Sequence, residues 1–198
     1  MKNGQSLPLE YRTEQNQMNI LGFWIFLGAE IMLFATLFAS YFTLFDRTGS
    51  GPAGADIFEI VPVLIETILL LTSSFTIGLG IHAMRLGNKK AMIGFFVTTL
   101  ILGLAFLGVE IYEFVHYYNV GATLQTSAFT AILLTTLGTH GAHVTFGLFW
   151  GLSIVLQVKK RGLTPETANK SFIFSLYWHF LDVVWIFIFS FIYLKGMM

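Results

Sequence analysis

The sequence contains no cysteine, and only 11% of its residues are charged. Without cysteine the chain can form no disulfide, thiolate metal site, iron–sulfur cluster or covalently attached haem c. The net charge of zero argues against a nucleic-acid partner. The scarcity of charge accompanies 55% hydrophobic and 16% aromatic residues and a mean hydropathy of +0.72. These values are typical of an integral membrane protein rather than of a soluble domain.

Five stretches are long and apolar enough to cross a bilayer as helices, which takes about 20 residues. They cover residues 20–45, 57–84, 91–118, 128–158 and 172–194. Short polar segments separate them. We therefore predict an all-α polytopic membrane protein, with one five-helix domain over residues 20–198 and a cytoplasmic tail over residues 1–19. Loops this short predict that each helix packs against the next in an up-and-down bundle.

The distribution of Lys and Arg predicts the orientation, because cytoplasmic loops carry the excess of positive charge. Of the 11 such residues, only Arg47 and Lys195 fall on one side of the five-span arrangement. We expect the N-terminus in the cytoplasm and the C-terminus outside. Several aromatic residues near the span ends are expected to act as interfacial anchors; they are Trp24, Trp150, Trp178, Tyr41, Tyr117, Tyr118 and Tyr193.

Ionisable residues lie inside the predicted spans, where each costs about 2.5–3.5 kcal/mol unless protein or water shelters it. Counting along each helix at about 1.5 Å per residue predicts two polar layers. The midplane layer contains Glu30, His140, His143, His179 and Asp182, and the outer layer contains Glu66, Glu110, Glu113 and His116.

Metal binding is one interpretation of these layers. Glu113 and His116 have the Glu-x-x-His spacing of di-iron bundles, and His140 and His143 share a helix face. A di-iron site needs a second copy of the motif, which the sequence lacks, and both His140 and His143 are expected roughly 10 Å nearer the midplane than Glu113. Histidines three residues apart on one helix cannot bind a haem from opposite sides. Pairing between polar groups and proton handling by one carboxylate are the alternatives.

Two acidic residues need a partner in particular. Glu30 is the only charged residue in its span, so it either stays protonated or reaches a polar neighbour such as a midplane histidine. Glu66 has Glu110 as its candidate partner at similar depth.

Close helix approach is expected along a stripe of small residues on the fourth span, formed by Gly138, Gly141, Gly147 and Gly151.

Five motifs follow one another along the chain: WIFLGAEIMLF (24–34), LLTSS (70–74) with His82 and Ala83 beyond it, GVEIYEFVH (108–116), THGAHV (139–144) and YWHFLDVVW (177–185). In this order they resemble subunit III of the haem–copper terminal oxidases, in its short five-helix form. The resemblance covers the chain from Gly22 onward. It places Glu30 on the family's membrane-buried carboxylate and Glu113 on its usual glutamate.

The resemblance implies an accessory subunit without catalytic residues, haem, copper or another metal of its own. Haem and copper are expected in the catalytic subunit I, which this chain would stabilise in a proton-pumping complex of a bacterial plasma membrane. Subunit II, a small subunit IV and bound phospholipid are the other expected partners. Support of proton uptake is a further implied role. The chain lacks the first two helices of the family's long form.

The segment GLGIHAMRLGNKK (78–90) and the short N-terminus resemble the quinol oxidases of Gram-positive bacteria, which implies a menaquinol donor and haem A. A cytochrome c oxidase subunit III is the alternative within the family. Outside it, a proton-coupled transporter using Glu30 and Glu66 is disfavoured by the lack of repeats and broken helices. A membrane di-metal oxidase is the third alternative, which bound iron would support.

Overall fold

Five long helices form the protein, whose computed structural model describes residues 7–49 and 51–197, apart from the side chain of residue 56. The helices are α1 (Glu14–Leu44), α2 (Ile60–Arg85), α3 (Lys89–Asn119), α4 (Ala128–Arg161) and α5 (Pro165–Ile188), and α5 continues as a π-helix over Phe189–Leu194. Each of the five is long and apolar enough to span a membrane. The described residues contain no strand. The predicted all-α class with five spans is confirmed.

Local capping explains why helices begin before the apolar runs do. Thr13 accepts a hydrogen bond from the Asn16 amide, so α1 starts at Glu14 instead of near residue 20. Thr164 and Thr167 form a reciprocal capping box around Pro165, which starts α5 well before residue 172.

Three of the helices are followed by a glycine with positive φ. Gly87, Gly121 and Gly162 have φ values of +73°, +81° and +80° after α2, α3 and α4, respectively. Glycine adopts this left-handed conformation without the penalty that a Cβ atom would add. The chain can therefore reverse within a few residues and return across the bundle.

Helices α2, α3, α4 and α5 close a ring in which each packs against the next and α5 returns to α2. Helix α1 packs on the outside of this ring, against α4 and α5. The expectation that each helix packs chiefly against its successor is therefore wrong for α1. The segment between Phe45 and Glu59 is long enough to carry the chain across the end of the bundle, where the Phe129 amide donates to the Arg47 carbonyl oxygen.

The segment before α1, described from residue 7, packs against the bundle. Residues 1–6 of the predicted tail lie outside the described residues. Glu10 is fully buried and its carboxylate contacts the Arg85 guanidinium of α2 at 2.8 Å. The Asn169 amide of α5 donates to the carbonyl oxygens of Glu10 and Asn16 at 3.1 and 3.0 Å. This polar network ties the segment before α1 to α2 and α5.

Candidate functional site

Glu30 and His143 connect α1 to α4 through a hydrogen bond between their side chains. His143 Nε2 lies 3.0 Å from Glu30 Oε2, and His143 Nδ1 lies 2.7 Å from the Thr139 carbonyl oxygen. A carbonyl only accepts, so Nδ1 carries a hydrogen. The Nε2 contact then needs a second proton, either on Glu30 or on the imidazole. The contact with His143 corresponds to the second arrangement expected for Glu30, in which it reaches a midplane histidine.

The Glu30–His143 pair is accessible from the outer surface of the bundle. The side chains are 14% and 22% exposed, and His143 lines an open hollow of about 260 Å³ together with Phe26, Ala142, Phe146 and Tyr177. A polar pair in this position is costly if it faces acyl chains.

His140 lies one turn away on α4 and is fully buried among aromatic rings. The ring centroids of Phe106 and Trp185 lie 5.8 and 5.5 Å from that of the imidazole. Neither ring nitrogen has a hydrogen-bond partner among the described residues. His140 and His143 therefore occupy different environments despite sharing a helix, one sealed and one paired.

Three acidic residues meet between α2 and α3. Glu66, Glu110 and Glu113 are 0%, 5% and 4% exposed and close enough to interact electrostatically. Glu113 accepts hydrogen bonds from Tyr193 at 2.6 Å and from Tyr117 at 3.2 Å. The two carboxylate oxygens of Glu66 have no hydrogen-bond partner in the described chain. Glu66 and Glu110 therefore lie near each other, as expected, but no hydrogen bond joins their side chains.

The carboxylate of Glu110 lies against Gly141, directly after His140 in the sequence. A Cβ atom on Gly141 would be 2.5 Å from Glu110 Oε2. Glu110 and His140 were expected in separate layers, yet the Glu110 carboxyl group reaches the residue that follows His140. Counting from span centres assumes upright helices centred at one level, and it ignores the reach of a glutamate side chain.

His179 and Asp182 of α5 face α2, where both reach Ser74. The Ser74 hydroxyl lies 2.7 Å from His179 Nδ1 and also interacts with the Asp182 carboxyl group, whose Oδ1 has no hydrogen-bond partner among the described residues. His116 stands apart from these groups: it is partly exposed near the end of α3, with its ring centroid 6.2 Å from that of Tyr117. Asp182 is 8% exposed, so protein shelters its carboxyl group.

The described residues contain no group of three or more histidine and acidic side chains arranged to hold a metal ion. Glu113, the first residue of the Glu-x-x-His motif, instead receives two tyrosine hydroxyl groups. The shorter of these contacts joins α3 to the π-helix that continues α5.

The glycines of α4 make room for side chains rather than for another backbone. A Cβ atom on Gly147 would meet the Trp178 ring at 3.1 Å, and one on Gly151 would meet the Phe174 ring at 2.6 Å. Gly138 differs, because its nearest neighbour, a Phe114 ring carbon, would be 3.8 Å away. The close packing that was expected at all four glycines of α4 is therefore missing at Gly138.

Comparison with known proteins identifies the family. The family model described as cytochrome c oxidase subunit III matches residues 11–197. The chain belongs to the cytochrome c oxidase subunit III family. It is 57% identical to quinol oxidase subunit 3 of Bacillus subtilis over 96% of this chain and 93% of the relative. It is 47% identical to cytochrome c oxidase subunit 3 of Bacillus sp. PS3 over 96% and 92%, and 48% identical to a probable quinol oxidase subunit 3 of Staphylococcus haemolyticus over 96% and 94%.

As subunit III of a haem–copper oxidase, the chain is a multi-pass membrane protein that associates with the catalytic subunits of its complex. Its polar interior includes aromatic side chains that the sequence suggested as interfacial anchors. Tyr117 and Tyr193 are 1% exposed and donate to Glu113. Trp178 is 1% exposed and donates to Ser73 at 2.9 Å. The anchor expectation is wrong for these three residues.

The spacing of two tryptophans in the sequence of this subunit III could have indicated that they are buried against polar groups. Trp178 and Trp185 are separated by two helical turns, so they share a face of α5. Trp185 donates to Thr67 of α2 at 3.1 Å, as Trp178 does to Ser73 of the same helix. Two indole donors on one face indicate polar acceptors on the helix opposite, since a buried indole N–H takes a partner.

Proposed function

We propose that the chain is the non-catalytic subunit III of a proton-pumping quinol oxidase, with menaquinol as donor and O₂ reduced to water. The observation that carries this proposal is the 57% identity to quinol oxidase subunit 3 of Bacillus subtilis across almost the whole of both chains. Cytochrome c oxidase subunit III is the second candidate, favoured by the 47% identity to the Bacillus sp. PS3 relative.

In this proposal subunit I holds the haem and copper, and this chain stabilises subunit I, binds phospholipid and supports proton uptake. Subunit II and a small subunit IV complete a complex in a bacterial plasma membrane. The N-terminus is cytoplasmic and the C-terminus lies outside. The single-domain organisation of the chain belongs to the same proposal, supported by the ring of packed helices.

The polar contacts between helices support a structural and proton-related role. Glu30 of α1 is hydrogen-bonded to His143 of α4, and His179 of α5 lies 2.7 Å from the Ser74 hydroxyl of α2. Ionisable groups inside a membrane normally pair in this manner. Such pairs fix helix contacts and hold protons without needing a redox centre.

The same reasoning suggests where subunit I docks. The hollow beside His143 leaves the Glu30–His143 pair partly exposed, and a protein surface would remove that pair from contact with lipid. We infer that a helix of subunit I covers this hollow. Phe26, at its rim, is 42% exposed in the isolated chain.

Co-purification tests the function. The chain is extracted in mild detergent, its partners are identified by mass spectrometry, and a visible spectrum and O₂ consumption are recorded with menaquinol and with reduced cytochrome c. We expect a large haem-containing partner and oxidation of menaquinol. A chain that purifies without haem-containing partners would contradict the assignment to an oxidase, and activity with cytochrome c alone would favour the second candidate.

Cysteine crosslinking tests the docking site, because this chain has no native cysteine that could react in place of an introduced one. A cysteine introduced as Phe26→Cys should crosslink to subunit I in native membranes. Phe75→Cys serves as the control, because Phe75 is 67% exposed on α2, away from the hollow. Equal crosslinking of both variants, or of the control alone, would place subunit I elsewhere.

A further inference from the structure

Glu66, Glu110 and Glu113 occupy the interior of the bundle, and no cationic side chain of the described residues pairs with them. Glu66 is fully buried, and the other two acids are at most 5% exposed. The only ion pairs within the described parts of the chain join Arg85 to Glu10 and His143 to Glu30. Three negative charges cannot be held together in such surroundings, since burial and mutual repulsion both favour the neutral form.

The hydrogen bonds indicate which acid carries the charge. Glu113 accepts from the hydroxyl groups of Tyr193 and Tyr117. Donors directed at a carboxylate stabilise its ionised form. Glu66 and Glu110 receive no comparable donors from the described residues, so the protons belong on these two acids.

Protonation alone does not satisfy Glu66. A neutral carboxyl group still has one O–H donor and a carbonyl acceptor. Both Glu66 oxygens and Glu110 Oε1 are buried without a partner in the described chain. Each buried polar group left without a partner costs about 1–3 kcal/mol. Internal water is the usual partner of such groups in folded proteins.

We propose that Glu66, Glu110 and Glu113 form a closed binding site for internal water, in which water bridges Glu66 and Glu110 and the three carboxyl groups together hold two protons. Gly141 is a positioning residue for this site, because a Cβ atom there would displace the Glu110 carboxyl group. The other titratable groups that interact with the site are Tyr117 of α3, Tyr193 of the π-helix and Glu59, which precedes α2. The site lies within this chain and does not depend on the electron donor that the complex uses.

Infrared spectroscopy of the purified complex tests the proposal. Spectra of the wild type and Glu66→Gln are recorded in H₂O and in D₂O, and their difference isolates the carboxyl band of Glu66. Glu166→Gln is the matched control, because Glu166 is exposed in the first turn of α5. We expect Glu66→Gln to lose the intensity of one protonated carboxyl group, with a band position that shifts in D₂O. The control should lose none.

Two results would overturn the proposal. If Glu66→Gln and the wild type have the same protonated-carboxyl intensity, Glu66 is ionised and the proton assignment is wrong. If the Glu66 band keeps its position after prolonged exposure to D₂O, no water reaches the site. Glu110→Gln, recorded in the same way, provides a second reading if Glu66→Gln does not assemble, and the same two results apply to it.

Discussion

Gly151→Ala should weaken the packing of α4 against its neighbours. The added methyl group would lie 2.6 Å from the Phe174 ring and 2.7 Å from Leu100 Cδ2. Overpacking of this kind costs about 1–3 kcal/mol, because the neighbouring side chains must leave favourable positions. Replacing a helical glycine by alanine returns about 0.5–1 kcal/mol. The net expectation is a loss of about 1 kcal/mol, measured as a fall in the unfolding temperature of the purified complex.

Gly138→Ala is the matched control on the same helix. Its added methyl group would have only the Phe114 ring within 4 Å, at 3.8 Å, which is an ordinary contact. The helix-propensity gain of about 0.5–1 kcal/mol should then appear without a packing cost. The two variants are expected to shift the unfolding temperature in opposite directions. Equal shifts, or a rise for Gly151→Ala, would show that a methyl group at residue 151 fits between α4 and its neighbours.

Three further variants test polar contacts. Tyr193→Phe should lower stability by about 1.5–3 kcal/mol in thermal unfolding, because it removes a hydrogen bond to a charged group. Tyr117→Phe should cost less, since its contact with Glu113 is 3.2 Å rather than 2.6 Å; the reverse order would contradict the assignment. Arg85→Ala should leave the buried Glu10 carboxylate without its ion-pair partner and speed proteolysis of the segment before α1. Unchanged cleavage would show that the ion pair does not hold the segment.

The five spans could be predicted from the sequence because length and apolar content decide them. The position of α1 could not. Lipid and protein core are both apolar, so a membrane helix has no strongly polar face to show which side meets a neighbour. For this reason the packing of α1 against α4 and α5 became visible only in the structure.

The candidate site was predictable in part. No Lys or Arg lies at the depth of Glu30 in the sequence, so a midplane histidine was a natural partner. Tyr193 was harder to place, because it lies in the π-helix at the end of α5, where helical periodicity changes. Glu10 lies far from Arg85 in the sequence, and no local pattern pairs them.

We propose that this chain shelters polar groups and supports a catalytic partner without performing the chemistry itself. The most direct measurement compares the intact oxidase with the oxidase depleted of this subunit, in the first turnover with O₂ and over sustained turnover. We expect the depleted oxidase to keep its haem spectrum and first-turnover rate and to inactivate earlier during sustained turnover. Loss of the haem spectrum or of first-turnover O₂ reduction would contradict it.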